Sequence, residues 1–141
     1  MSPQLSRALS ALAIFVLVGP AIGAAIFAVL MTLLLAVADA GLGLAVVYLT
    51  LAFFPLAYLV GGLQAAFVGA ATAVAIWRKG FAPLWVPLLA ATAAGSLAAS
   101  RAHESWDATA ILLATHILSA LVCWAMLPGA KPGAAHPLPG A

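Results

Sequence analysis

The first residue of this chain that could do chemistry is a histidine set in a long apolar run. His116 lies within residues 108–127, a stretch without Asp, Glu, Lys or Arg. An ionisable side chain in such a setting is a functional candidate by default, because its charged form is expensive in hydrocarbon. Ser119 and Cys123 follow three and seven residues later on the same helical face, with Thr115 beside them. Imidazole changes charge near neutral pH, so a proton relay is the sharpest chemistry this stripe could carry. Haem ligation is a second option, with a single histidine in the apolar runs to supply it. The plainer reading, which the composition favours, is a neutral histidine hydrogen-bonded to Gln64 or to a hydroxyl on a neighbouring helix.

Gln64 is the other strongly polar side chain in an apolar run. It follows Gly61 and Gly62, where a broken helix would bare backbone carbonyls. Discontinuous helices of this kind build substrate sites in transporters. The polar complement is thin, however: Thr72, Thr92, Ser96, Thr115 and Ser119 accompany Gln64 and His116, and no carboxylate is present to couple protons or hold a cation. Hydrogen bonding between helices accounts for these residues equally well.

The densest polar cluster runs from Arg101 to Asp107 and includes His103 and Glu104. Three ligand types on one short loop are a weak metal signal. A solvated loop whose Asp107 favours the start of the next helix explains them better. HExxH, phosphate-loop and hydrolase signatures are absent. No catalytic, cofactor-binding or metal-binding residue is assigned, and no enzymatic activity or cofactor is expected. Cys123 is the only cysteine, so an intrachain disulfide is impossible.

The elements that must position these residues are legible in the composition. Of 141 residues, 67% are hydrophobic and 6% charged, against about a quarter charged in soluble domains. Such an inventory cannot build an aqueous surface, and a net charge of +2 offers no basic patch for nucleic acid. Four apolar stretches, 9–37, 42–77, 81–99 and 108–127, meet the length of about 20 residues that a bilayer crossing needs. The first is too long for a signal-peptide core, about 7–15 residues, and reads as a retained transmembrane helix. The expected fold is all-α, a four-helix transmembrane bundle over residues 1–127. A Pro- and Gly-rich tail, 128–141, is expected to be disordered.

Charge sets the threading. With the N-terminus inside, Arg7, Arg78, Lys79 and Lys131 are cytoplasmic, while Asp39, Glu104 and Asp107 are outside with Arg101. Four basic residues inside against one outside satisfies the positive-inside rule. Both termini are then cytoplasmic. Trp106 and Trp124 stand about 27 Å apart on an ideal helix, the spacing of two membrane interfaces. Trp77 and Trp85 flank the basic pair and mark the cytoplasmic interface.

The second stretch is overlong, about 54 Å as one helix. A kink near Pro55 or Gly61–Gly62 is expected, with 42–54 either projecting or forming a separate embedded piece. Small residues recur along the runs: Gly61, Ala65, Gly69 and Ala73 every four residues, Gly19 and Gly23 around Pro20, and Ala91, Gly95 and Ala99. Such ridges let helix backbones approach in lipid, within one bundle or between protomers.

The segment from Pro55 through Gly61-Gly62-Leu63-Gln64 to Gly69, with Gly19-Pro-Ala-Ile-Gly23 before it, resembles a recurrent type of small four-span bacterial membrane protein of uncharacterised function. This chain has Gln64 where that type carries Pro. The resemblance implies a bacterial inner-membrane location and no particular activity. Small multidrug exporters share the size, but their first-span carboxylate is missing here. Two functions are therefore expected in order. The first is a non-enzymatic accessory or assembly component of a membrane complex, surrounded by lipid and partnered by a homo-oligomer or larger assembly. The alternative is a small oligomeric carrier or channel for a small solute or ion, with Gln64 and His116 lining its path.

Overall fold

A computed structural model describes residues 2–38, Ala45, Tyr48, 54–102 and 106–127. The described residues are all helical apart from short turns. The predicted tail, 128–141, lies outside them, as does most of the segment 42–54 and the question of its separate embedding.

The chain enters its first helix, α1 (Pro3–Ala13), through Ser2, whose hydroxyl accepts the Leu5 N–H at 3.3 Å. Ser at the cap and Pro in the first turn are the residues this position favours, since one satisfies an orphan donor and the other has none to lose. A π-helical turn, Ile14–Val18, follows, and then α2 (Gly19–Ala38). The backbone stays right-handed helical through both joints, so the three pieces form one rod. Pro20 explains the wide turn. Its ring would strike the carbonyl four residues back and it donates no hydrogen bond, and inserting a π turn ahead of it relieves the crowding. At the joint the Gly19 N–H reaches the carbonyls of Ile14 and Phe15. The portion Pro3–Leu34 of this rod is long and apolar enough to cross a membrane.

Helix α3 (Phe54–Lys79) has 26 residues and runs unbroken through Gly61 and Gly62. The two glycines therefore do not end the helix, in keeping with a single long element. Pro55 is the second described residue of α3, and the residues before Phe54 that would decide a kink there lie outside the described ones. Arg78 and Lys79 close the helix, where cations suit the negative end of its dipole. Gly80 then turns the chain with φ +77°, donating to the Ile76 carbonyl at 2.8 Å. This left-handed end is the conformation for which glycine is favoured. Residues 81–84, predicted as the start of the third span, form the turn instead, and α4 (Trp85–Ala102) begins after it. The last helix, α5 (Trp106–Ala125), starts two residues before the expected span and ends two short of it.

The first rod packs against α3 and α5, and α4 packs against the same two. The four rods thus close a ring in which the first rod faces α4, and α3 faces α5, across the diagonals. Side-chain size is distributed in an unusual way. The buried apolar positions are mostly alanine, Ala8, Ala11, Ala91 and Ala120 among them, with Phe15 the largest. Large apolar side chains point outward instead: Leu63 is 81% exposed and Leu59 79%. Small residues inside allow close backbone approach and leave the bulky ones to the surroundings.

Candidate functional site

Two polar side chains from different helices, His116 and Gln64, meet in the interior, while Ser96 is exposed. His116 lies about halfway along α5, and two oxygens bracket its ring. Nδ1 lies 2.7 Å from the Leu112 carbonyl, one turn back, and Nε2 lies 2.5 Å from Gln64 Oε1. Gln64 belongs to α3, the helix diagonally opposite. The pair therefore spans the interior between two helices that make little direct contact. Of the two partners expected for this histidine, Gln64 or a hydroxyl on a neighbouring helix, the structure has Gln64. Neither ring nitrogen, as arranged, is free for a metal.

Gly95 of α4 makes room for the imidazole. A Cβ built at Gly95 would sit 3.3 Å from His116 Cβ and Cγ and 3.2 Å from Leu113 Cδ1. Its place in a small-residue ridge was legible in the sequence, but its contact with the histidine was not. No local signal could have shown it, since the two residues meet only when α4 and α5 dock.

Ser119, one turn beyond Thr115, donates to the Gly19 carbonyl at 3.0 Å and meets the Cys123 thiol on its own helix. Thr115 is buried and donates to the Ile111 carbonyl at 2.8 Å. Thr72 and Thr92 bond the carbonyls of Val68 and Leu88 in the same way. Such bonds satisfy a hydroxyl within its own helix, so these threonines offer no chain of donors to a solute. The structure thus joins His116 with Gln64 directly, places Ser119 on the first rod, and turns Thr115 back on α5.

Two further contacts were not foreseen. The Tyr58 hydroxyl donates to the Leu17 carbonyl, in the π turn, at 2.7 Å. The Trp124 indole N–H donates to the Ala82 carbonyl at 2.9 Å, tying the end of α5 to the turn between α3 and α4. Trp77, Trp85 and Trp106 are exposed, and the Lys79 ammonium stands 5.8 Å from the centre of the Trp85 ring. This distance is within the range of a cation–π contact.

The glycines expected to pack divide sharply. Gly69 is pressed hardest: an added Cβ would fall 2.8 Å from Phe15 Cβ and 3.3 Å from Leu12 Cδ1. Gly19 faces Ala65 and Cys123 at 3.6 and 3.7 Å, and Gly23 faces Ser119 Oγ at 3.8 Å. Gly61 has nothing within 4 Å of the position a Cβ would take. These contacts lie within one chain, so Gly19, Gly23, Ala65 and Gly69 serve the bundle itself.

Among the described residues no group of three or more His, Cys, Asp or Glu could hold a metal ion. His103 and Glu104 lie outside the described residues. No protein-family model, curated protein or solved structure matches the chain.

Proposed function

We propose that this chain is a four-span protein of the bacterial inner membrane with both termini cytoplasmic. We further propose that it acts as a non-enzymatic accessory or assembly component of a larger membrane complex. The reading of location draws support from the outward large apolar residues and the inward alanines. Water would penalise such a surface, whereas lipid tails do not distinguish it from their own interior. Sorting of the charged residues supports the threading, and the resemblance around 55–69 supports the bacterial membrane.

One observation carries the functional reading. Among the described residues, no buried side-chain nitrogen or oxygen lacks a hydrogen-bond partner. A site that binds a solute holds polar groups in reserve for it, and here the buried hydroxyls are taken up by backbone carbonyls, those of Thr72 and Thr115 on their own helix. What remains for recognition is the exterior, where Leu59, Leu63, Phe67, Val74 and Trp77 of α3 are exposed to lipid or to a neighbouring protein. Extraction in a gentle detergent followed by native mass analysis should recover the chain with a stoichiometric partner. A stable, isolated monomer would defeat the assembly reading. Reporter fusions after Asp39 and Glu104 should read as outside, and fusions after Lys79 and Lys131 as inside; the reverse pattern would reject the threading.

The second reading, an oligomeric carrier or channel, is favoured by the central position of the Gln64–His116 pair. Reconstituted vesicles should then show a solute or ion flux that falls in His116→Leu and Gln64→Leu. Unchanged flux in both would remove the pair from any pathway.

A further inference from the structure

We infer that the turn between α3 and α4 binds the phosphate of an anionic phospholipid, with Arg78 and Lys79 as its cations and Trp85 as the ring that positions Lys79. The inference rests on the proposed membrane location and threading, which put this turn at the cytoplasmic leaflet, and not on the assembly reading. Arg78 and Lys79 end α3 and are exposed. The first rod runs antiparallel to α3, since Leu12 and Phe15 meet Gly69 while Gly19 meets Ala65. Arg7, exposed on α1, therefore stands toward the same end. Three of the chain's five basic residues thus gather at one end of the bundle. Asp107 belongs to the other end: it opens α5, whose Trp124 is bonded to Ala82 of the turn. The seventeen residues between them put Asp107 about 26 Å from that bond, about three Debye lengths at physiological salt. Asp39 and Glu104 lie outside the described residues. Among the described residues no carboxylate stands beside these cations.

Lys79 has an aromatic partner instead. Its ammonium stands 5.8 Å from the centre of the Trp85 ring, a contact that occupies one side of the group and leaves N–H donors for an anionic oxygen. The turn that carries the pair is fixed at several points. Gly80 donates to the Ile76 carbonyl at 2.8 Å, Val86 to the Pro83 carbonyl at 3.0 Å, and the Trp124 indole to the Ala82 carbonyl at 2.9 Å. Ala82 and Pro87 are buried beneath it. Groups held in place this way bind a ligand with little ordering cost. The Arg78 guanidinium adds a planar fork of donors, which matches two oxygens of one phosphate.

The side chains next to the cations select a lipid over a soluble anion. Trp77 and Trp85 are exposed, and so are Val74, one turn before Trp77 on α3, and Leu89, one turn after Trp85 on α4. Moving away from the turn, each helix therefore passes from cation to indole to aliphatic surface. A phospholipid presents the matching order, from charged headgroup through the interface that indoles favour to the acyl chain. Anionic lipids of the cytoplasmic leaflet are the usual partners of basic side chains placed at that depth. A free phosphate or an acidic protein segment would use the cations alone and leave the aliphatic surface beside them unmatched.

The test uses the full-length chain, freed of lipid and titrated with phosphatidylglycerol or with phosphatidylcholine of the same acyl chains, bound lipid being counted by native mass spectrometry. A cation beside an anionic headgroup is worth about a fivefold gain in affinity, so two should give phosphatidylglycerol about a twenty-fold preference. Arg78→Gln/Lys79→Gln should bring the preference below about fivefold, while Arg101→Gln, near the end of α4, should keep it. Trp85→Leu should weaken phosphatidylglycerol binding about threefold. Arg78, Lys79 and Trp85 are exposed, so these variants keep the bundle. Equal binding of the two lipids would overturn the inference, as would a preference that survives the double change or one lost equally in Arg101→Gln. Inorganic phosphate and a poly-glutamate peptide, each at the lipid's concentration, should leave the lipid bound. Displacement by either would assign the turn to a soluble anion or to an acidic protein segment and overturn the lipid. The measurement needs neither a known orientation nor a protein partner, so its failure is distinct from failure of the reporter fusions or of the search for a stoichiometric partner.

Discussion

Gly61 and Gly69 belong to one ridge in the sequence and to two different environments in the structure. Both follow the four-residue spacing that also includes Ala65 and Ala73. Gly69 is pressed so closely against Phe15 that a methyl group would meet its Cβ at 2.8 Å, whereas Gly61 faces nothing within 4 Å. The helix period accounts for the difference. Four residues turn a helix by about 400°, so each step of the ridge rotates about 40° past its predecessor. Over the eight residues from Gly61 to Gly69 the drift is about 80°. Ala65 still meets Gly19 within this drift, while Gly61 has turned away from the first rod. Spacing every four residues therefore marks a ridge, but only its middle can be counted on to touch a given neighbour.

The comparison can be broken most directly at the pressed end. Gly69→Val should destabilise the bundle by about 3 kcal/mol, because neither the Phe15 backbone-proximal carbon nor the Leu12 carbonyl can step aside. Equilibrium unfolding in mixed detergent micelles would measure it, and a loss under about 1 kcal/mol would mean that the two rods are not docked as described. The polar layer ranks next. Removing one partner, as in Gln64→Leu or His116→Leu, should cost about 1–2 kcal/mol. A double-mutant cycle across the pair should give a coupling of about 1 kcal/mol, within the range for hydrogen bonds between membrane helices. Additivity of the two single changes would show that the bond contributes nothing.

Gly95→Ala should cost somewhat less, about 1 kcal/mol. Leu113 can swing its methyl aside, but His116 is held by bonds on both sides of its ring and yields little. The same change should disturb the His116 ring signals in a nitrogen spectrum, and unchanged signals would place the glycine away from the histidine. The smallest effect carries the opposite sign. Gly61→Ala meets open space and reduces the freedom of the unfolded chain, so it should stabilise by about 0.5 kcal/mol. A destabilisation there comparable to that at Gly69 would erase the distinction between the two glycines.

Gln64 stood in the sequence as one of two kinds of partner for His116, beside a hydroxyl on a neighbouring helix, for a simple reason. In apolar helices strongly polar side chains are few, and each must find another because an apolar interior offers no partner. With so few available the candidates are few, but choosing between Gln64 and a hydroxyl took the docking of the helices. The π turn was not readable, although Pro20 was in plain view, because a proline inside a helix can kink it, end it or widen it. The tie from Trp124 to Ala82 also escaped sequence reasoning, which had assigned this indole to the membrane interface alone. A carbonyl left free by a turn carries no mark in the residue that owns it.

Taken by itself, the sequence determined where helices form and what their exteriors can face. Long apolar runs satisfy their own backbone groups only as helix, and that requirement is local, acting within each run. Charges at the run ends and small residues within them follow from the same list of residue types. Tertiary structure alone decided which glycine is pressed and which is open, which oxygens hold the His116 ring, and that Gly95 makes space for it. Those outcomes depend on how far each helix is rotated and how closely it approaches its neighbour. Rotations of a few tens of degrees change them, and no single run of residues encodes such an angle.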